Sequence, residues 1–143
     1  MTKTIRISIV SLEGTIFSGE ATHVAVIGQL GGMDIYPGHS PLLTKLIPGS
    51  VSIYQSNSKH EVIYISGGIL EIQSQYINIL CEMAERAVNL DELAALKAKE
   101  HAERILNDKQ SDIDYAKATA ELAQAVAQLQ VISKLKKKLT GRI

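Results

Sequence analysis

The sequence predicts an N-terminal antiparallel β-sandwich or flattened barrel over residues 1–86, followed by a C-terminal antiparallel α-helical hairpin over residues 87–143. Three observations carry this. Between Ile5 and Ile79, apolar residues recur at every second position in short runs, the period of strands with one face in a core. Those runs are separated by turn signals, with no helical pattern between them; many short strands at close spacing form sandwiches or barrels. From residue 89 onward the period becomes helical, in two stretches joined by a short polar break at residues 107–111, which implies an antiparallel hairpin.

In chain order, Ile5, Ile7 and Ile9 alternate with Arg6 and Ser8. Val24 and Val26, Val51 and Ile53, Ile63 and Ile65, Leu70 and Ile72, and Ile77 and Ile79 repeat the pattern. The turn signals are Glu13-Gly14, Ser18-Gly19, Gly31-Gly32, Pro37-Gly38, Pro48-Gly49, Ser56-Asn57-Ser58 and Gly67-Gly68. The boundary between the two parts falls at about residues 86–89. Asn89 is the expected cap of the first helix, with Glu92 in its first turn. Leu90, Leu93, Ala94, Ala98, Ala102 and Ile105 form its expected apolar stripe. The second helix spans residues 112–139, capped by Ser111 with Asp114 three residues on. Its apolar positions are Tyr115, Ala118, Leu122, Val126, Leu129, Ile132, Leu135 and Leu139. At 1.5 Å per residue it reaches ~40 Å.

Composition narrows the function classes. The 143 residues carry no net formal charge, so no global field points to nucleic acid or a membrane surface. Residues 1–86 hold five basic and seven acidic side chains, residues 87–143 ten and eight; the positive excess therefore sits in the helices. Cys81 is the only cysteine, which excludes an intrachain disulfide and fits a cytosolic setting. No apolar run approaches the roughly 18 residues of a membrane span. Lys3 and Arg6 interrupt any signal-peptide apolar region. With no Trp and Phe17 as the only Phe, the core is expected to be aliphatic.

Few residues invite chemistry. His39 lies in the loop Tyr36-Pro37-Gly38-His39-Ser40-Pro41. A hydrolase reading would make it a base, with Asp34 as orienter and Ser40 as nucleophile. Ser40 lacks a nucleophile-elbow context, and the plainer reading is a loop histidine that packs or meets a partner. His23, His39, His60 and His101 show no metal spacing and Cys81 has no second cysteine nearby, so no metal site is expected. Gly31-Gly32 and Gly67-Gly68 are not followed by a helix carrying Lys-Ser/Thr, so they read as tight turns or close backbone approaches rather than phosphate loops. Lys134, Lys136, Lys137 and Lys138, with Arg142, crowd the chain's end. Basic residues there complement a helix dipole; five without an acidic neighbour fit an acidic partner surface as well.

Several separated stretches resemble one family, the epsilon subunits of bacterial F-type ATP synthases. They are Ile35-Tyr36-Pro37-Gly38-His39-Ser40-Pro41-Leu42-Leu43-Thr44, Pro48-Gly49, Tyr64-Ile65-Ser66-Gly67-Gly68-Ile69-Leu70-Glu71, Asp112-Ile113-Asp114-Tyr115-Ala116 and Ala120-Glu121-Leu122-Ala123. The resemblance spans the whole chain. It implies a non-catalytic central-stalk rotor subunit. The sandwich would bind the gamma subunit and the c-ring and couple proton-driven rotation to ATP synthesis. The hairpin would fold against the sandwich or extend into the alpha/beta head and block ATP hydrolysis. Gly32, Met33, Tyr36 and His39 would face gamma and the ring, and Lys134, Lys136, Lys137 and Lys138 the catalytic head. Localisation would be peripheral, at the cytoplasmic face of the inner membrane, with membrane association only through the complex and no nucleic-acid partner. Independently of the resemblance, an alanine-lined helix buries little apolar area at about 25 cal/mol per Å², so it packs closely and releases at modest cost.

One departure concerns nucleotide. Some members bind ATP between the folded helices through a motif reading Ile/Leu-Asp-x-x-Arg-Ala and further arginines. Here the motif is Leu90-Asp91-Glu92-Leu93-Ala94-Ala95, with Ala94 in the arginine position and His101, Gln124 and Gln128 where the other arginines would align. Neutral side chains do not supply the charge-assisted contacts a triphosphate needs. ATP binding and a cofactor are therefore not expected; a nucleotide-sensing module whose hairpin closes on ATP is the alternative.

Overall fold

The alternating isoleucines build strands and the alanine-rich end builds helices. The computed structural model describes residues 3–56, 59–108 and 112–139. In chain order they form β1 (Ile5–Ser11), β2 (Gly14–Ala21), β3 (His23–Gly28), β4 (Gly31–Ile35), β5 (Leu42–Leu46), β6 (Gly49–Tyr54), β7 (His60–Ile65), β8 (Gly68–Ile72), β9 (Tyr76–Cys81) and β10 (Ala84–Arg86). A 3-10 turn (Ala87–Asn89), α1 (Glu92–Asp108) and α2 (Asp112–Leu139) follow. The chain divides into two compact units, Met1–Arg86 and Ala87–Ile143. The expected turn residues Asn57 and Ser58, the cap Ser111, Arg142, and the side chains of Lys138 and Leu139 lie outside the described residues.

The first unit is a sandwich made of one continuous strand path, β10-β7-β6-β3-β5-β8-β9-β1-β2, with β4 added on β3. Every residue whose alternation predicts a strand points inward: Ile5, Ile7, Ile9, Val24, Val26, Val51, Ile53, Ile63, Ile65, Leu70, Ile72, Ile77 and Ile79 are buried in a single core cluster. Burial of each such side chain stabilises by roughly 1.5–3 kcal/mol against leaving it in water. The pairings are antiparallel except β1 with β9, which run parallel from Arg6↔Tyr76 to Val10↔Leu80. These strands are far apart in sequence, so no tight hairpin forces them antiparallel.

Two turn expectations are corrected. Ser18-Gly19 is not a turn but lies inside β2, opposite Ser8 and Ile7. An added Cβ on Gly19 would sit 3.4 Å from the Phe17 ring, so Phe17 covers the strand where glycine has no side chain. Gly31-Gly32 opens β4 rather than the turn itself, since Gly28 already pairs with Gly31. Gly67-Gly68 is the expected close approach: Gly67 has φ +100° and a Cβ on Gly68 would meet the Leu80 carbonyl oxygen at 2.1 Å. Only glycine fits there.

In the second unit, α1 and α2 pack against each other. The cap of α1 is Asp91, not Asn89. Its Oδ1 accepts the Ala94 N–H at 3.1 Å, while Asn89 ends the 3-10 turn. The expected stripe of α1 holds at Ala102 and Ile105 and fails in the first turns. Ala95 and Ala102 are buried, whereas Leu93 is 61 % exposed and Ala94 and Ala98 are exposed. On α2, Ala118, Ala125, Ala127, Val131 and Ile132 are buried. Leu122, Val126, Leu129 and Leu135 are half-buried and Tyr115 is exposed. Positions 95 and 102, and 118, 125 and 132, repeat at sevens, the interval of a helix–helix seam. Close helix approach selects small side chains for that seam, and leucine count alone misplaces it.

Candidate interaction surface

The first candidate group comes from β4 and the loop after it. Among the described residues β4 pairs only with β3, placing Gly32 opposite Ile27 and Met33 opposite Val26. Gly32 is exposed. Met33 is half-buried and packs on the core, so most of its side chain is spent inside. Tyr36 is 56 % exposed and stacks on His23 at 4.9 Å. His23 stacks on Tyr54 at 4.1 Å and Tyr54 on His60 at 4.3 Å. Four rings from neighbouring strands thus brace the start of the loop. Offset aromatic stacking contributes about 0.5–1.5 kcal/mol per pair. The loop's own bonds continue the brace: the Gly38 N–H donates to Ser74 O at 2.9 Å, and the His39 N–H to Tyr36 O at 3.2 Å.

His39 is half-buried, and its Nδ1 lies 2.6 Å from the Ser40 carbonyl oxygen. A carbonyl only accepts, so Nδ1 carries the proton in this contact. In the triad reading Nδ1 would face Asp34; here the neighbouring backbone occupies it. The arrangement suits a held contact residue.

Sequence reasoning missed a second surface. On β5, β8 and β9 several outward positions are apolar: Leu43 is 72 %, Ile69 47 % and Leu80 56 % exposed. Ile69 and Leu80 are cross-strand partners, with Lys45 opposite Ile69 on the other side. A shallow groove of about 570 Å³ adjoins them, lined by residues including Lys45, Pro48, Gly67 and Glu82. Asn78 donates to Glu71 at 3.1 Å beside them. The signal was legible as apolar doublets, Leu42-Leu43, Ile69-Leu70 and Ile79-Leu80, which break alternation and make a strand apolar on both faces. A contiguous exposed apolar patch with a polar rim marks an interaction site.

Cys81, at the end of β9, is buried and free. Burial holds its thiol above the ordinary cysteine range, so it is not an activated nucleophile. Among the described residues no group of three metal-ligating side chains converges, and no described helix is long and apolar enough to cross a membrane.

The hairpin's lysines are partly committed within their own unit. Lys136 Nζ pairs with Glu92 at 2.7 Å, joining the end of α2 to the first turn of α1. Partial burial lowers the pKa of Lys134. Lys137 is exposed. A cavity of about 260 Å³ between α1 and α2 is lined by His101, Ile105, Asp108, Asp114, Lys117 and Glu121 among others. Three carboxylates against one lysine make it a poor cradle for a triphosphate.

Two family models match in chain order. The "ATP synthase, Delta/Epsilon chain, beta-sandwich domain" covers residues 4–87 and the "long alpha-helix domain" of the same chain covers residues 89–133. The chain belongs to the ATP synthase delta/epsilon family. Two curated relatives, each called ATP synthase epsilon chain, agree. One from Legionella pneumophila is 48 % identical and one from Nitrosococcus oceani 42 %, each over 97 % of this chain and 99 % of the relative. The fold recurs in chains of two mitochondrial assemblies. One is the OSCP/F1/c-ring of Euglena gracilis ATP synthase, with TM-score 0.71, 19 % identity, and 95 % of this chain and 81 % of that one covered. The other is the central stalk and c-ring of the Tetrahymena thermophila enzyme, with TM-score 0.63, 10 % identity, and 92 % and 98 % covered.

Proposed function

We propose that this chain is the non-catalytic rotor subunit of a bacterial, proton-translocating ATP synthase, seated in the central stalk. The observation that carries this reading is the match of both family domains, in order, over nearly the whole chain. The sandwich docks on the gamma subunit and the c-ring, coupling ring rotation to ATP synthesis in the alpha/beta head. The apolar face of Leu43, Ile69 and Leu80 and the braced loop with Gly32, Tyr36 and His39 are the surfaces for it; Met33 supports that loop from within. The hairpin restrains ATP hydrolysis through contacts with the head, to which Lys134, Lys136, Lys137 and Lys138 contribute. The subunit is peripheral, held at the cytoplasmic face of the inner membrane by the complex, and needs no cofactor.

Copurification of tagged chain with gamma and the c-ring tests the docking. Leu80→Asp with Ile69→Asp should reduce capture of gamma at least tenfold, and unchanged capture would refute the assignment of that face. In assembled enzyme, His39→Ala should weaken gamma binding and leave turnover near normal. Removal of residues 133–143 should raise ATP hydrolysis with coupling intact. The nucleotide-sensing alternative predicts tight Mg-ATP binding by the isolated chain. With Ala94, Gln124 and Gln128 in place of arginines, titration calorimetry should find no dissociation constant below about 10 µM, which corresponds to roughly −7 kcal/mol.

A further inference from the structure

The strand path of the sandwich has two ends, β2 and β10, and no strand pairing joins them among the described residues. A side-chain bond bridges them instead: Arg86 Nη2 donates to the Ile16 carbonyl oxygen of β2 at 3.3 Å. Through Nη1 the same guanidinium pairs with the Glu61 carboxylate of β7. Arg86 therefore ties β10 at once to its ladder neighbour and to the far edge of the sheet. A guanidinium presents five N–H donors in a rigid planar fork, so it can hold a carboxylate and a carbonyl together; a lysine ammonium has no such fixed geometry. β10 itself is short. Its ladder is three pairs with β7, Ala84↔Ile65, Glu85↔Tyr64 and Arg86↔Ile63.

The position of Arg86 in the chain gives this bridge its consequence. Arg86 is the last residue of the sandwich unit and Ala87 the first of the helical unit. Ala87 is buried in the 3-10 turn that packs on α2, and its carbonyl accepts the Leu90 N–H at 3.2 Å. In sequence, Arg86, held within the sandwich, is followed directly by Ala87, packed within the helical unit. Any force on the helical unit arrives at β10, the shortest strand of the sheet.

We propose that Arg86 is the anchor of this joint. It is a positioning residue whose bridge from Glu61 to the Ile16 carbonyl closes the sheet's seam and keeps β10 in register, so that the sandwich side of the joint stays fixed. The anchor concerns the joint alone and holds whatever the helices regulate.

Hydrogen exchange on the full chain, with spin-label distances between an exposed site on the sandwich and one on α1, tests it. Arg86→Gln should speed exchange of the residue 84–86 amides at least tenfold and broaden the distance distribution, with β1 and β9 amides at wild-type rates. Glu61→Gln leaves the Ile16 bond in place and should give a smaller acceleration. Arg86→Lys keeps the charge and loses the fork, and should not restore wild-type exchange. Unchanged β10 exchange or unchanged distances in Arg86→Gln would overturn the proposal, as would full rescue by lysine. Equal acceleration of β1 and β9 would also overturn it, by making Arg86 a prop of global stability instead.

Discussion

The two units of this chain bury different side chains, and the difference sets what each can do. The sandwich core is built mainly from isoleucine, valine and leucine, on seven strands of the path and on β4. Each inward residue fills space between strands brought together from distant parts of the chain. The helical unit buries Ala95, Ala102, Ala118, Ala125 and Ala127 beside Val131 and Ile132, and its alanines contribute closeness of approach but little apolar area. At about 25 cal/mol per Å², the first kind of core makes a body that opens only as a whole. The second makes an element that separates for a modest free energy. The first property fits the docking role proposed for the sandwich, and the second the regulatory role proposed for the hairpin.

The largest expected effect follows from removing a platform side chain. Ile79→Ala, in the centre of β9, should destabilise the sandwich by about 2–5 kcal/mol through lost burial and the cavity left behind. Urea titration read by far-ultraviolet β signal checks this, and a change under about 1 kcal/mol would mean the strand layer repacks more freely than the fold implies. The helical seam fails in the opposite sense. Ala125→Leu adds bulk where close approach is needed and should cost about 1–3 kcal/mol by overpacking. The loss should appear in helix signal and leave the sandwich's unfolding midpoint unmoved; a stabilised helical unit would show that the seam has room.

How much of this was legible follows the same division. Alternation located the sandwich strands through Ile5 to Ile9 and Ile77 to Ile79, because one face of each is in the core and the other is not. It missed β2, where Gly19 has no side chain to register a face and Phe17 supplies the cover from two residues away. It passed over the exposed apolar face because Ile69 and Leu80 lie outside beside the buried Leu70 and Ile79, so the strands lost their period where they gained a surface. In the helices, leucine positions misled. Small residues line the seam, so Ala95 and Ala102 were the informative ones and Leu93 faces solvent. The cap is Asp91, two residues nearer α1 than Asn89, the residue that the chain uses to end its 3-10 turn. Arg86 carries no sequence signal at all, since Glu61 and Ile16 come to it only through the closure of the sheet.

A smaller effect separates the units by pH. Burial raises the pKa of Cys81 in the folded sandwich, so the folded state favours the neutral thiol more than the unfolded chain does. That contribution is complete below the ordinary thiol pKa and is lost as pH rises through the folded value. Sandwich stability should therefore fall on the alkaline side relative to Cys81→Ala, with the helical signal following no such trend. Matching pH profiles for the two proteins would show that the thiol is solvated in the folded state.

The claim that one unit is a fixed platform and the other a releasable arm is tested most directly by native-state hydrogen exchange of the isolated full chain across low urea concentrations. Amides of β1, β6 and β9 should exchange only through global unfolding, with a steep urea dependence. Amides in the middle of α1 and α2 should exchange through a local opening of lower free energy and shallower dependence. If the helical amides instead share the free energy and urea slope of the sandwich strands, the two units open together and the account of a separable arm is wrong.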